Sequence, residues 1–216
     1  KHCYRTLKVP GSLVKKIIVT GTPLMLNEFL WAGGLTLQTQ ALSTKGLATV
    51  GGLNICNTIG NISNCIFVTM GTTIAIVVGQ LLGAGKLKEA KVTATRMAAF
   101  SLLISFGMII ILGLLGPVFP HFYNTTDEIR ELATKFIWAV AAATPFISLS
   151  NSEYFILRGG GKTIITFLFD SCFVCLVNVP VAICLTKFTA IHIVGIFFLV
   201  NMLEGVKALI GFIMVK

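Results

Sequence analysis

The sequence predicts an all-α integral membrane fold, a bundle of six transmembrane helices, and three observations carry that prediction. Hydrophobic residues make up 55% of the 216-residue chain and charged residues only 12%, against about 25% charged in soluble domains. Residues 46–85 and 97–116 contain no Asp, Glu, Lys or Arg, and each run meets the roughly 20 apolar residues needed to cross a hydrocarbon core. The basic residues between apolar runs also fall unevenly on alternate sides. One side collects Lys1, Arg5, Lys8, Lys15, Lys16, the cations of 86–96, Arg158, Lys162 and Lys216; the other has Lys45, Arg130, Lys135 and Lys187. Cytoplasmic loops carry the excess of Lys and Arg. The first side is therefore expected to be cytoplasmic in a multi-pass cell-membrane protein, with both ends of this segment there.

The elements follow in order. Residues 1–16 read as a basic cytoplasmic linker at the membrane interface, with Leu7, Val9, Leu13 and Val14 able to dip into it. They lack the apolar core of a signal peptide. The chain opens on Lys1, which reads as a fragment of a longer protein or a processed form. Residues 17–216 form the membrane lobe, with Ser12 after Pro10 and Gly11 as the expected cap of the first helix. The spans are placed at 17–43, 50–82, 97–116, 129–157, 164–186 and 191–215. Pro117 and Pro120 are expected to end the third span, and Thr125 to Glu128 has capping-box spacing for the fourth. The basic segment 83–96 reads as an amphipathic loop lying at the headgroups. A net charge of +9 would suggest nucleic acid in a soluble domain; here its placement assigns it to the membrane surface instead, and no nucleic-acid partner is expected.

Candidate functional residues are those that do not belong against lipid. Glu28 is the one charged residue of "PLMLNEFLWAGG". A charge at the bilayer centre costs roughly 2.5–3.5 kcal/mol on insertion scales, and intramembrane acids by default face a cavity and act there. Such a carboxyl can load and release a proton or, with neighbouring oxygens, hold a hard cation. Pro23 interrupts the helical ladder nearby. Asn54, Asn57, Asn61 and Asn64 recur at spacings of three and four, which places them on one helical face. They either bond neighbouring helices or line a wet pocket, and the pocket is favoured. Thr144, Ser148, Asn151 and Ser152 form a similar set, from which Asn151 joins the cavity group. Asp170 is a secondary acid, with Lys162 close in sequence. Glu153 is assigned to Arg158 as a structural pair, and Glu204 to Lys207 at i,i+3. Phe29, Trp31 and Phe67 could offer aromatic surface to flat cations.

Other motifs carry less. "RGGGKT" has Ile156 where a Walker loop needs glycine, and five residues separate Gly79 from Gly85 in "GQLLGAGK"; neither reads as a nucleotide loop. Cys172 and Cys175 have zinc-like spacing but no second ligand pair. The cysteines inside apolar segments read as packing residues. No catalytic constellation, metal site or cofactor is expected, and so no enzyme activity.

"GTPLMLNEFLWAGG", "VGQLLGAGKLKEA", "ILRGGGKT" and "NVPVAICL", in this order, resemble the C-terminal half of a multidrug and toxic compound extrusion (MATE) transporter, most of all its bacterial efflux branch. The resemblance spans nearly the whole chain. It implies the second of two six-helix lobes around a central cavity, exporting organic, often cationic, drugs in exchange for Na⁺ or H⁺. It also implies that Glu28 belongs to the cation site, with the N-terminal lobe of the same chain, membrane lipid and the drug as partners. Many family members carry a further acid in the fourth helix of this lobe; here that neighbourhood is "PFISLSNSEYF", without an acid at mid-depth. The rival readings are a lipid-linked oligosaccharide flippase of the same superfamily, which should show several arginines in its cavity, and a membrane scaffold without transport.

Overall fold

The computed structural model describes residues 10–215. It contains six long helices and, among the described residues, no strand. They are α1 (Gly11–Ser43), α2 (Leu47–Gly83), α3 (Leu87–Val118), α4 (Asp127–Gly159), α5 (Thr163–Phe188) and α6 (Ile193–Val215). Five of them, α2 to α6, are long and apolar enough to cross a membrane. The exception, α1, carries Thr22, Asn27, Glu28, Thr36, Gln38 and Gln40 along its length.

Several boundaries move from the sequence expectation. α1 begins at Gly11, so residues 11–16 of the expected linker are helical, and its N-terminus has no side-chain cap; residues 1–9 lie outside the described residues. The basic segment expected as a headgroup loop is mostly the first turns of α3, because only Ala84 to Lys86 separate it from α2. α3 passes through Pro117 to Val118 and tightens into a 3₁₀ turn, Phe119–Phe122. The Thr125 capping box does not form: Thr126 is the N-cap residue and makes no side-chain cap bond, although Asp127 and Glu128 do occupy the first turn, where the helix dipole favours them.

The glycine-rich turns have a purely structural explanation. Gly85 (φ 75°) and Gly161 (φ 73°) adopt the left-handed conformation that side chains resist. Lys86 N–H donates to Leu81 O and Gly85 N–H to Leu82 O, each at 3.0 Å. Lys162 N–H to Leu157 O (3.3 Å) and Gly161 N–H to Arg158 O (3.1 Å) repeat the pattern after α4. These are two matching Schellman caps. "GAGK" and "GGGK" therefore end helices.

α4 is the centre of the bundle and packs on α2, α3 and α6, while α1 pairs mainly with α5. The main core joins Phe67, Leu112, Phe136, Ile137 and Val200, with the Phe136 and Phe197 ring centroids 4.8 Å apart. Outward faces carry exposed Leu103, Ile110, Leu114, Leu209, Phe212 and Ile213, as a lipid-facing surface should. Polar bonds also join helices: Ser101 and Ser148 hydroxyls meet at 2.9 Å, and Ser150 donates to Glu204 O at 3.1 Å. Ser148 is thus helix glue rather than cavity lining.

α2 and α4 approach closely because glycines remove side chains at their contact. A Cβ on Gly71 would overlap the Phe155 ring, and one on Gly159 would lie 2.7 Å from Ala75 O. Gly71→Ala must displace a buried ring, an overpacking cost of about 1–3 kcal/mol. Thermal unfolding of the purified protein should show a lowered midpoint for this variant. Gly107→Ala should show none, because nothing lies within 4 Å of a Cβ there.

Candidate functional site

The site begins with two neighbours on α1. Asn27 is fully buried and Glu28 is more than half exposed, its side chain at 56%. Facing them, α5 departs from regular α-helix: Leu168–Cys172 and Val174–Asn178 are π-helical. Such wide turns are frequent at functional sites. The Ser171 hydroxyl lies 2.8 Å from Asn27 O and 2.7 Å from Asn27 Oδ1. Cys175 Sγ contacts Leu30 O at 3.7 Å, Gly34 packs on Val174, and Lys45 reaches Thr189 O at 3.3 Å. Contacts that climb both helices together mean that α1 and α5 run parallel, stitched by polar groups.

From Asn27 the bonds run two ways. Its Nδ2 donates to Tyr154 OH and to Asp170 Oδ2, both at 3.2 Å. On the first path, Tyr154 OH donates to Glu28 Oε1 at 3.2 Å, and Arg158 reaches the same oxygen at 3.3 Å. Tyr154 and Arg158 are one turn apart on α4, and the guanidinium lies 5.9 Å from the Tyr154 ring centroid. On the second path, Lys207 of α6 donates to Asp170 Oδ1 at 2.7 Å and lies 3.7 Å from Glu204. The Lys207 ammonium also sits 5.5 Å from the Phe169 ring centroid. One polar chain, Lys207–Asp170–Asn27–Tyr154–Glu28–Arg158, thus crosses α6, α5, α1 and α4.

These groups open on a cavity of about 740 Å³. Its charged part holds Glu28, Arg158, Asp170, Glu204 and Lys207; its neutral part holds Gln38, Asn61, Asn64, Asn151 and Asn201. A second cavity of about 780 Å³ shares Gln38, Asn61 and Asn201 with the first and has no charged lining residue.

The structure places Glu28, Asn61, Asn151 and Asp170 on the first cavity and Asn57 on the second. Asn54 is exposed and lines neither. Trp31 and Phe67 line the first cavity, whereas Phe29 points outward, 73% exposed. Three assignments differ from expectation. Arg158 pairs with Glu28 and not Glu153, which points towards Gly211 and Phe169 with its Oε2 buried and unpartnered. Asp170 is held by Lys207 and not Lys162, while the expected Glu204–Lys207 pair also forms, at the longer distance of 3.7 Å. Glu28 also lies level with the last two turns of α4, nearer the glycine-capped end than mid-depth, since its partners are Tyr154 and Arg158. Asn27, Tyr154 and Ser171 were missed from the sequence. The adjacency of Asn27 to Glu28 and the i,i+4 spacing of Tyr154 and Arg158 were the available signals.

Six long helices, five of them membrane-crossing by length and composition, thus pack beside a cavity that carries charged groups on one part of its wall and amides on another. The MatE family model matches residues 23–184, well over half of the chain, and the chain belongs to that family. No curated protein matches it. Among solved structures, a point mutant of a MATE protein aligns with TM-score 0.87 at 14% identity, over 97% of this chain and 48% of that one. An outward-facing multidrug resistance MATE transporter of the MOP superfamily gives 0.82 at 18% identity, over 91% and 44%. A MOP superfamily transporter from Pyrococcus furiosus, described by a binding pocket of reverse polarity, gives 0.83 at 17% identity, also over 91% and 44%. At these identities the likeness shows the fold. The chain spans less than half the length of each.

Proposed function

We propose that this lobe is the second, C-terminal half of a cation-coupled antiporter that exports organic, often cationic, compounds in exchange for Na⁺ or H⁺. The observation that carries the reading is the Glu28 carboxylate. It is half-open to a cavity, and both of its hydrogen bonds enter one oxygen, Oε1. Tyr154 and Arg158 hold the carboxylate in place while its exposed side meets an arriving ion. A cation or proton there cancels a negative charge on the cavity wall, which weakens the hold on a cationic drug; by reciprocity the drug weakens the ion equally. The partner lobe would close the cavity, and rocking of the two lobes about the site would expose it alternately to each side. The amides of the neutral part would orient the cargo. In this reading the protein catalyses no covalent chemistry, and its positively charged turns face the cytoplasm.

A flippase for pyrophosphate-linked sugars is less well supported, because among the described residues Arg158 is the single arginine on either cavity. Ethidium efflux from vesicles holding the full-length protein tests the proposal. Efflux should accelerate under an imposed Na⁺ gradient or an imposed proton gradient; equal efflux with and without both would end it. Asn61→Leu, on both cavities, should raise the half-saturating ethidium concentration about three- to tenfold, the worth of one lost hydrogen bond. The half-saturating ion concentration should stay unchanged, as measured in the same assay.

A further inference from the structure

The Lys207 side chain is only 7% exposed yet lies away from Glu28, the proposed ion site, on a different helix. Its ammonium takes Asp170 Oδ1 at 2.7 Å, leaving Oδ2 for the Asn27 amide at 3.2 Å. The same amide nitrogen donates to Tyr154 OH, which donates on to Glu28 Oε1, each at 3.2 Å. Ser171 holds the amide oxygen at 2.7 Å, so the amide cannot flip without losing that bond. The direction of every bond in the chain is therefore fixed. The ammonium is a donor only, so Asp170 must accept; the amide nitrogen must donate; Tyr154, receiving from Asn27 and from Arg158 at 3.3 Å, spends its own proton on Glu28.

We propose that Lys207 is a positioning residue for the ion site: by fixing Asp170 it orients Asn27 and Tyr154, and so sets the geometry in which Glu28 binds its ion. This rests on the reading of Glu28 as that site. Removing the Lys207 charge leaves Asp170 free to turn; the Asn27 amide, still held at its oxygen by Ser171, then loses its pinned acceptor, and the Asn27–Tyr154 bond is no longer set from the α5 side. Conversely, an ion that pulls Glu28 away from Tyr154 alters the chain as far as α6, so occupation at α1 and α4 is felt at the α5–α6 contact. Partners one shell out from an ion's ligands typically matter about 10–100-fold in affinity.

The test uses the full-length protein in proteoliposomes, with ethidium as cargo and whichever of Na⁺ or H⁺ drives the wild type. The key variant is the double change Asp170→Asn with Lys207→Met, which removes both charges of the pair together. It should raise the half-saturating ion concentration about tenfold while the maximal rate at saturating ion stays within about twofold. Lys207→Arg, which keeps the charge, should restore the wild-type half-saturation to within about threefold. A double variant with wild-type half-saturation, or one that changes only the maximal rate or the protein yield, overturns the inference and makes Lys207 a structural ion pair. Glu28→Gln run in parallel separates the two ideas. If it keeps ion-driven efflux, the reading of Glu28 fails and the inference with it. If it loses efflux while the double variant behaves as wild type, the inference alone fails.

Discussion

Asp170→Ala is expected to destabilise the protein by about 3–5 kcal/mol, the cost of stranding one member of a buried ion pair. Among the described residues, the Lys207 ammonium would keep Glu204, at 3.7 Å, the Phe169 ring and the more distant Glu153 carboxylate. Its side chain is only 7% exposed to the cavity, so water replaces the lost carboxylate poorly. Asn27, itself fully buried, would lose an acceptor as well. The electroneutral double change, Asp170→Asn with Lys207→Met, should recover most of this, leaving a deficit of about 1 kcal/mol. The stranded ammonium is then gone, and what remains lost is the pinned acceptor of Asn27, for which an unanchored amide oxygen at position 170 is a weaker substitute. Equilibrium unfolding of the purified protein in detergent measures both. A loss below about 1 kcal/mol for Asp170→Ala would mean that the pair is solvated in the working protein.

Glu28→Gln should act in the opposite way, sparing the fold and removing transport. The glutamine oxygen can accept the same two bonds from Tyr154 and Arg158, so the local geometry survives. Arg158 loses its counter-charge, but its side chain is 34% exposed, and screening at such a position keeps the penalty small. What disappears is the negative charge proposed to attract an ion. Ion-driven ethidium efflux should fall to the rate seen without a gradient, with wild-type membrane insertion and an unfolding midpoint close to wild type. Efflux that persists at the wild-type rate would contradict the assignment. Misfolding would show that the carboxylate serves packing.

Much of this was legible in the sequence because the bilayer simplifies the problem. Runs such as 46–85 and 97–116 contain no charged residue, so the helices announce themselves, and Glu28 stands out for the same reason. The positive-φ glycines at the ends of α2 and α4 were visible as short interruptions. What sequence could not supply were partners across helices. Lys162 lies eight residues from Asp170 and Lys207 lies thirty-seven, yet packing of α6 on α5 selects the distant one. Arg158 is five positions from Glu153, which is the wrong face of a helix, and one turn from Tyr154, which is the right one. Proximity along the chain misled in both cases. The π-helical turns of α5 were likewise invisible, since nothing in the residue pattern of 168–178 marks them. The depth of Glu28 depends on where α4 ends beside it, which no property of "PLMLNEFLWAGG" encodes.

If one carboxylate exchanges an ion for cargo, the exchange shows most directly as displacement at equilibrium. Purified full-length protein is loaded with radiolabelled Na⁺, or held in weakly buffered solution to follow protons, and tetraphenylphosphonium is added. The wild type should release about one ion per drug bound, and Glu28→Gln should bind the drug but release none. Release of the same amount by wild type and variant, or drug binding by the wild type with no ion released at all, would contradict the exchange.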